Sequence, residues 1–431
     1  MDEKPLEIAI IGGGIAGVAL ALGLLRRDIN FRLYERGQSL REIGAGIGFT
    51  PNAERAMRVV DPRIHKAFKD VAVQNASDWF FWVDAYHHDP TKGDSYEELI
   101  YKMYLGERGF EGCHRADFLE GMVDLIPDGN VQFGKKLQSI VDSGDEEPLL
   151  LRFEDGTTAE ADAVIGCDGI RSRVRQIVLG ENHPAARPGY SHKYAFRGLA
   201  PMDRAKAALG EEKTSTRHMH LGPDAHALTF PVAGGTLLNI VAFVSDPEEW
   251  PYGDRLTGPG TKAEAIKAFA PFGPAIRAII DLLPETLDKW AVFDTFDNHP
   301  PTYVSGRICL AGDAAHASTP HHGAGAGFGI EDTAVLSGVL ETVQSTLDVG
   351  SSISRAELLR RAFTTYNHIR HDRAQWLVET SRFVGELYQW QHGPDPVEIG
   401  REIDWRAHKI WDYDIDDMMR QAADDYRSRL Q

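Results

Sequence analysis

The chain is poor in cysteine, in net positive charge and in long apolar runs. Cys113, Cys167 and Cys309 are the only cysteines among 431 residues. They form no CxxC pair and no metal-like spacing, which argues against a disulfide framework and against a bound metal; reduced, buried thiols are expected. Lys and Arg number 46 against 64 Asp and Glu, a formal net charge of −18. That balance disfavours nucleic acid or an anionic membrane as a partner, although a local basic pocket for a small anion remains compatible with it. No stretch approaches the ~18 consecutive apolar residues of a membrane span. Strand-like sequence begins almost at once, leaving no room for a leader, and a cytoplasmic location is expected. Internal repeats and low-complexity segments are also lacking. What remains is an ordinary globular composition, 42% hydrophobic and 26% charged, in a chain long enough for more than one core.

The stretch EIAIIGGGIAGVALALGLLRRDINFRLYERG reads as strand, turn, helix, strand. Gly12, Gly14 and Gly17 fill a G-x-G-x-x-G pattern. In such a unit the first glycine permits the tight turn, the second lets backbone approach a pyrophosphate, and the third allows close helix–strand packing. The helix N-terminus contributes N–H donors and the positive end of its dipole. Glu35 ends the second strand, where a carboxylate accepts hydrogen bonds from ribose hydroxyls. A dinucleotide is therefore expected, with FAD and NAD undecided by this motif alone. No second G-x-G-x-x-G occurs.

Further along, REIGAGIGFTPNAERAM (41–57) reads as a glycine-rich turn followed by a helix from about Asn52, and 75–106 is too irregular to assign. GCHRADFLEGMVDLIP reads as a helix with Arg115 in its first turn. PLLLRFEDGTTAEADAVIGCDGIRSRVR is a hairpin with an Asp-Gly turn, then a buried strand ending at Asp168-Gly169 and a basic helix start. Residues 190–300 carry short aromatic and β-branched strands, and a mostly antiparallel sheet is expected there. From 353 to 390 apolar residues recur at helical spacing, and 400–431 is an acidic helical tail.

AGDAAHASTPHHGAGAGFGIED (311–332) combines adjacent histidines with glycines at 323, 325, 327 and 329. Glycine costs about 1 kcal/mol against alanine within a helix. Four at alternate positions point to a backbone that must approach something closely.

Three pieces stand in order: G-x-G-x-x-G with Glu35, GCDG with Asp168, and AGDAAH with Asp313. This series resembles the class A flavoprotein aromatic hydroxylases, those with the para-hydroxybenzoate hydroxylase fold, over nearly the whole chain. HRADF, QFGKK, AHALTFPV, NIVAFVSD and PHHGAGAGFGIED resemble salicylate hydroxylases; YSHKYAFRGL, SDPEEWP and HKIWDYD resemble the fungal monooxygenases that dearomatise phenolic polyketides. The resemblance implies an α/β fold: a Rossmann-type FAD-binding domain, an inserted, mostly antiparallel substrate sheet, and a C-terminal helical region. FAD-binding parts are expected at 1–75, 106–185 and 301–350, substrate-domain parts at 76–105 and 186–300, and helices over 351–431. It implies non-covalent FAD, NADH or NADPH as transient reductant, O2 as co-substrate and a small phenolic substrate. By motif, Glu35 would hold the adenosine ribose and Arg115 and the main chain at Gly48 would adjoin the flavin. Asp313 would bind the ribityl or pyrophosphate part, the backbone near Ala326 would approach the isoalloxazine, and Asp168 would serve both FAD and reductant.

Hydroxylating a phenol requires stabilising its phenolate, which a neutral histidine and an arginine can do together. The resemblance supplies the catalytic candidates: His226 and His321 stand at motif positions matching salicylate hydroxylases, and Arg197 where the dearomatising group also has arginine. Phe230 is expected in the substrate pocket, where some dearomatising members carry tyrosine. That phenylalanine favours decarboxylative hydroxylation of an ortho-hydroxybenzoate, of salicylate type, to a catechol. Phenol dearomatisation is the alternative, and another flavoprotein oxidoreductase the second. His322 is expected on a backbone carbonyl; His114, His316, Cys113, Cys167, Tyr366 and Arg370 are expected to be structural.

Overall fold

The computed structural model describes residues 5–39, 46–106 and 110–431. At its centre, the apolar strand Glu7–Ile11 pairs in parallel with Asn30–Tyr34 on one side and Ala163–Gly166 on the other. Val131–Gln132 extends this sheet beyond Asn30–Tyr34, and Ile308–Leu310 and Val304–Ser305 extend it beyond Ala163–Gly166. Helix Ile15–Leu25 follows the first strand and is buried on nearly every face, as its unbroken apolar sequence requires. Close packing is enforced at Gly17, where a Cβ would lie 1.9 Å from the Gly12 carbonyl oxygen. Gly12 adopts φ +106°, a conformation open chiefly to glycine.

A second sheet of eight strands lies beside the first. Its order is Thr257–Thr261, Thr286–Asp294, Gly189–Pro201, Leu237–Ser245, Ala225–Val232, His218–Gly222, Trp79–Asp84, Glu98–Tyr104. Neighbours run antiparallel except His218–Gly222 and Trp79–Asp84, which are parallel. The span 75–106, unassigned from sequence, thus supplies two strands to this sheet. Four helices not foreseen occur within 190–300. Met202–Leu209, Lys262–Ala268 and Pro274–Asp281 build a separate core against one face, while the short Glu211–Ser215 does not contribute to it.

The expected glycine-rich turn at 41–57 lies partly outside the described residues. Its described part is a strand, Gly46–Phe49, paired with Glu111–His114, and the helix begins at Pro51. The C-terminal region forms the long helices Gly325–Asp348 and Arg355–Tyr388, then Pro396–Trp411 and Ile415–Leu430. Arg370 and Tyr366 are buried packing residues. Arg370 meets Glu331 at 2.6 Å and Asp332 at 2.8 Å, and the Tyr366 hydroxyl donates to the Leu310 carbonyl at 2.9 Å. Among the described residues no helix is long and apolar enough to cross a membrane, and no group of three or more His, Cys, Asp or Glu could hold a metal.

Candidate active site

A cavity of about 1150 Å³ runs from the Gly12–Gly14 turn, between the two sheets, to Phe243 and His321. It exceeds the ~300–1,000 Å³ of a site for one drug-sized ligand. A cavity of that size has room for more than one ligand.

The end formed by the parallel sheet fits a dinucleotide. Gly14 begins helix Ile15–Leu25 without a side-chain cap, and the space where its Cβ would stand is open. The helix N–H groups thus face the cavity with no competing side chain. Glu35 Oε2 accepts from the Gly13 N–H at 2.7 Å and Oε1 from the Gly37 N–H at 2.7 Å. These bonds fix the carboxylate at the cavity wall. Asp313 opens the short helix Asp313–His316 and exposes its side chain to the cavity. Behind it, Asp332 accepts from the Gly312 N–H at 2.8 Å and lies 2.6 Å from His316 Nε2. Burial opposes the Asp332 charge, but His316 and Arg370 overcome that and hold its pKa at about 2.

Asp168 lines the cavity with its carboxylate already engaged: Oδ2 accepts from the Arg173 N–H at 2.7 Å and the Val174 N–H at 3.1 Å, and Oδ1 from the Ser172 hydroxyl. Burial raises its pKa despite these bonds. Its immediate work is to cap helix Arg173–Leu179. Arg115, the first residue of helix Arg115–Val123, and Gly48 also line the cavity. Of the glycines that come after the histidines, Gly323, Gly325 and Gly329 line it together with Ala326, whereas a Cβ at Gly327 would press on Ala53 at 2.8 Å. The alternate glycines therefore serve helix packing as well as access.

At the far end Arg197 lies over the Trp290 ring, 5.2 Å from its centroid. Burial first, and Arg115 second, lower its pKa to about 10. Phe230 and His321 are also in the wall. His226 is not: its ring is 0% exposed, stacked on Phe243 at 4.7 Å and edge-on to His321 at 5.0 Å. The expectation that His226 meets substrate is therefore corrected to a place one layer behind Phe243 and His321. His322 meets Thr380 twice, its Nε2 pairing with the hydroxyl at 3.2 Å and the ring also bonding the Thr380 backbone, in line with the expected carbonyl. Cys113 and Cys167 are buried, with thiol pKa values raised by burial.

Sequence reasoning missed Trp290, Phe243, Phe110 and above all Arg217. The available signal was an arginine heading the otherwise buried strand stretch TRHMHLG with no acid in it.

A parallel dinucleotide sheet and an antiparallel sheet sharing one cavity define a flavoprotein monooxygenase of class A. The chain belongs to the FAD binding domain family, which matches residues 5–198 and 276–381. It is 60% identical over 433 residues to the FAD-dependent monooxygenase pigN of Monascus ruber, covering 100% of this chain and 99% of that one. To the salicylate hydroxylase asL1 of Sarocladium schorii it is 43% identical, covering 99% and 92%. A solved salicylate hydroxylase substrate complex superposes with TM-score 0.82 at 33% identity, covering 98% of each chain. The chain is thus a FAD-dependent monooxygenase, of a class that typically draws electrons from NAD(P)H.

Proposed function

We propose that the enzyme oxygenates a phenol at a substituted ring carbon ortho to the hydroxyl, leaving the ring dearomatised. The observation that carries this reading is Arg197: a cation disfavoured by burial, set over Trp290 in the cavity wall. A phenolate is the ligand that restores its balance. Bound FAD supplies the reduced flavin that activates O2 for transfer of one oxygen atom.

The protein's part is to make the ring nucleophilic. Arg197 stabilises the phenolate oxygen and so lowers the phenol's pKa in place. His321 is kept neutral by burial, with neither ring nitrogen on a partner among the described residues. A free ring nitrogen can accept a hydrogen bond from the phenol hydroxyl and so orient it toward ionisation beside Arg197. Phe243, Phe230 and Trp290 exclude water around the reacting carbon.

The product depends on the substituent. If the attacked carbon bears a carboxylate, CO2 leaves and the ring regains aromaticity as a catechol. If it bears an alkyl group, nothing leaves, and phenol, O2, NAD(P)H and a proton give a hydroxy-dienone, NAD(P)+ and water. The 60% identity to a monooxygenase against 43% to a salicylate hydroxylase supports the second outcome. Phe230, and the structural likeness to a salicylate hydroxylase, favour the first as the alternative reading. Product mass decides between them. Turnover of a 2-alkylresorcinol carbaldehyde should add one oxygen and keep every carbon, with salicylate left unconverted. Catechol and CO2 from salicylate, with the alkyl phenol ignored, would overturn the dearomatising reading.

A further inference from the structure

Arg217 is 3% exposed, yet it reaches the cavity wall. Its backbone is held on both sides: its N–H donates to Asn75 Oδ1 at 2.8 Å, and its carbonyl accepts from the Phe81 N–H at 3.3 Å. The guanidinium lies 3.9 Å from the Phe110 ring centroid and 5.0 Å from that of Phe230. One terminal nitrogen donates to the Phe110 carbonyl, and Nε has no hydrogen-bond partner among the described residues. Among those residues no carboxylate forms an ion pair with it. Glu111, the acid that bears on it electrostatically, is bound to Lys69 instead.

The local sequence makes room for this cation. A Cβ at Gly112 would stand 3.2 Å from Arg217 Nη2 and 2.8 Å from the Phe230 ring. A Cβ at Gly46 would meet the same ring at 2.8 Å. Glycines on the paired strands Gly46–Phe49 and Glu111–His114 therefore make room for the Phe230 ring and for the guanidinium beside it. Aromatic faces stabilise a buried cation only in part, and burial still drives the Arg217 pKa down to about 9. A desolvated guanidinium with unfilled donors at a cavity wall lacks an acceptor that the protein does not provide.

We propose that Arg217 is a second substrate-binding group, holding a carbonyl-type oxygen (aldehyde, ketone or carboxylate) carried by the phenol, while Arg197 holds the phenolate. This rests on the phenol reading above and narrows it to an acyl-bearing phenol held at two separate oxygens. Planar guanidinium donors suit such an acceptor, and the Phe110 and Phe230 rings beside Arg217 would flank the acyl group.

The test uses the FAD-loaded enzyme and a matched pair of ligands, a 2-alkylresorcinol carbaldehyde and the same resorcinol without its formyl group. Dissociation constants are read from the perturbation of the flavin spectrum. Arg217→Met should weaken the aldehyde at least about tenfold and change the formyl-free phenol by less than about twofold. Arg217→Lys should recover part of the aldehyde's affinity. Arg197→Met should weaken both ligands. Equal losses for both ligands in Arg217→Met, or no loss for either, would overturn the assignment. So would release of FAD, which would place the guanidinium on the cofactor. If wild-type enzyme binds and oxygenates both phenols while Arg217→Met does not discriminate, only the Arg217 assignment fails. If wild-type enzyme binds neither, the phenol reading fails with it.

Discussion

The imidazoles of His226 and His321 meet edge to face, centroids 5.0 Å apart and planes at 60°, and among the described residues none of their four ring nitrogens has a hydrogen-bond partner. Both are almost wholly buried, and burial drives both pKa values well below the ordinary 6.5. Of the two, only His321 faces the cavity. His321→Phe should cost at least about tenfold in kcat/KM, a loss of about 1.4 kcal/mol or more. His226→Phe keeps the ring shape and should stay within a few-fold. Steady-state kinetics on the two variants separate contact from support; equal losses would return His226 to the reacting centre.

The same burial predicts acid sensitivity. His218 and His322 are also pushed down to about 3, chiefly by burial. The unfolded chain binds protons near pH 6.5, while the folded chain refuses them until far lower pH. These histidines therefore leave stability undiminished above about 6.5 and erode it as pH falls toward about 3. Urea midpoints measured from pH 7.5 to pH 5 should fall with pH. His226→Phe should flatten that slope.

Arg197→Met should retain FAD and lose oxygenation by about tenfold or more. NAD(P)H oxidation should continue and appear as hydrogen peroxide, because oxygen is activated beside a ring that is too poor a nucleophile. A more acidic phenol needs less help to ionise and should restore part of the rate. Full coupling at the wild-type rate would make Arg197 structural.

Asp313→Ala should lower FAD retention by roughly 1.5–3 kcal/mol, the worth of a charge-assisted hydrogen bond. Equilibrium dialysis of the yellow protein measures this. Acid precipitation of wild-type enzyme should release all the flavin into the supernatant.

Behind that aspartate, Arg370→Met would remove the cation shared by Glu331 and Asp332, leaving them Arg373 and His316 as remaining partners. Each carboxylate keeps a partner, so the loss should lie at the low end of the ~3–5 kcal/mol of a fully broken buried pair, read by denaturant titration. Because Asp332 also holds the Gly312 N–H, FAD affinity should fall with stability.

The dinucleotide unit was legible because its signals are local: strand, glycine spacing, helix and acid lie within residues 7–35. The strand Trp79–Asp84 was not, because WFFWVD shows no polar alternation and pairs with His218–Gly222, far along the chain. Glycines between 44 and 48 suggested a turn, whereas Gly46 and Gly48 sit in a strand whose missing side chains make space for Phe230 and Phe110. His226 and His321 are indistinguishable as residue types. Only the order of packed layers tells which one reaches the cavity. For Arg217 the sequence offers only the hint of an arginine with no acid in its own strand stretch, since lack of a carboxylate partner from elsewhere in the chain is a property of three dimensions.

Pairing of Trp79–Asp84 with His218–Gly222 has a practical consequence for anyone recombining enzymes of this kind. A cassette cut at 186–300 would transplant a sheet whose edge at His218–Gly222 is tailored to two strands left behind in the donor. The recipient's own 79–104 would have to fit a foreign neighbour across a parallel seam. Chimaeras that exchange 76–105 together with 186–300 keep that seam native, and they are the ones expected to express as folded, yellow protein.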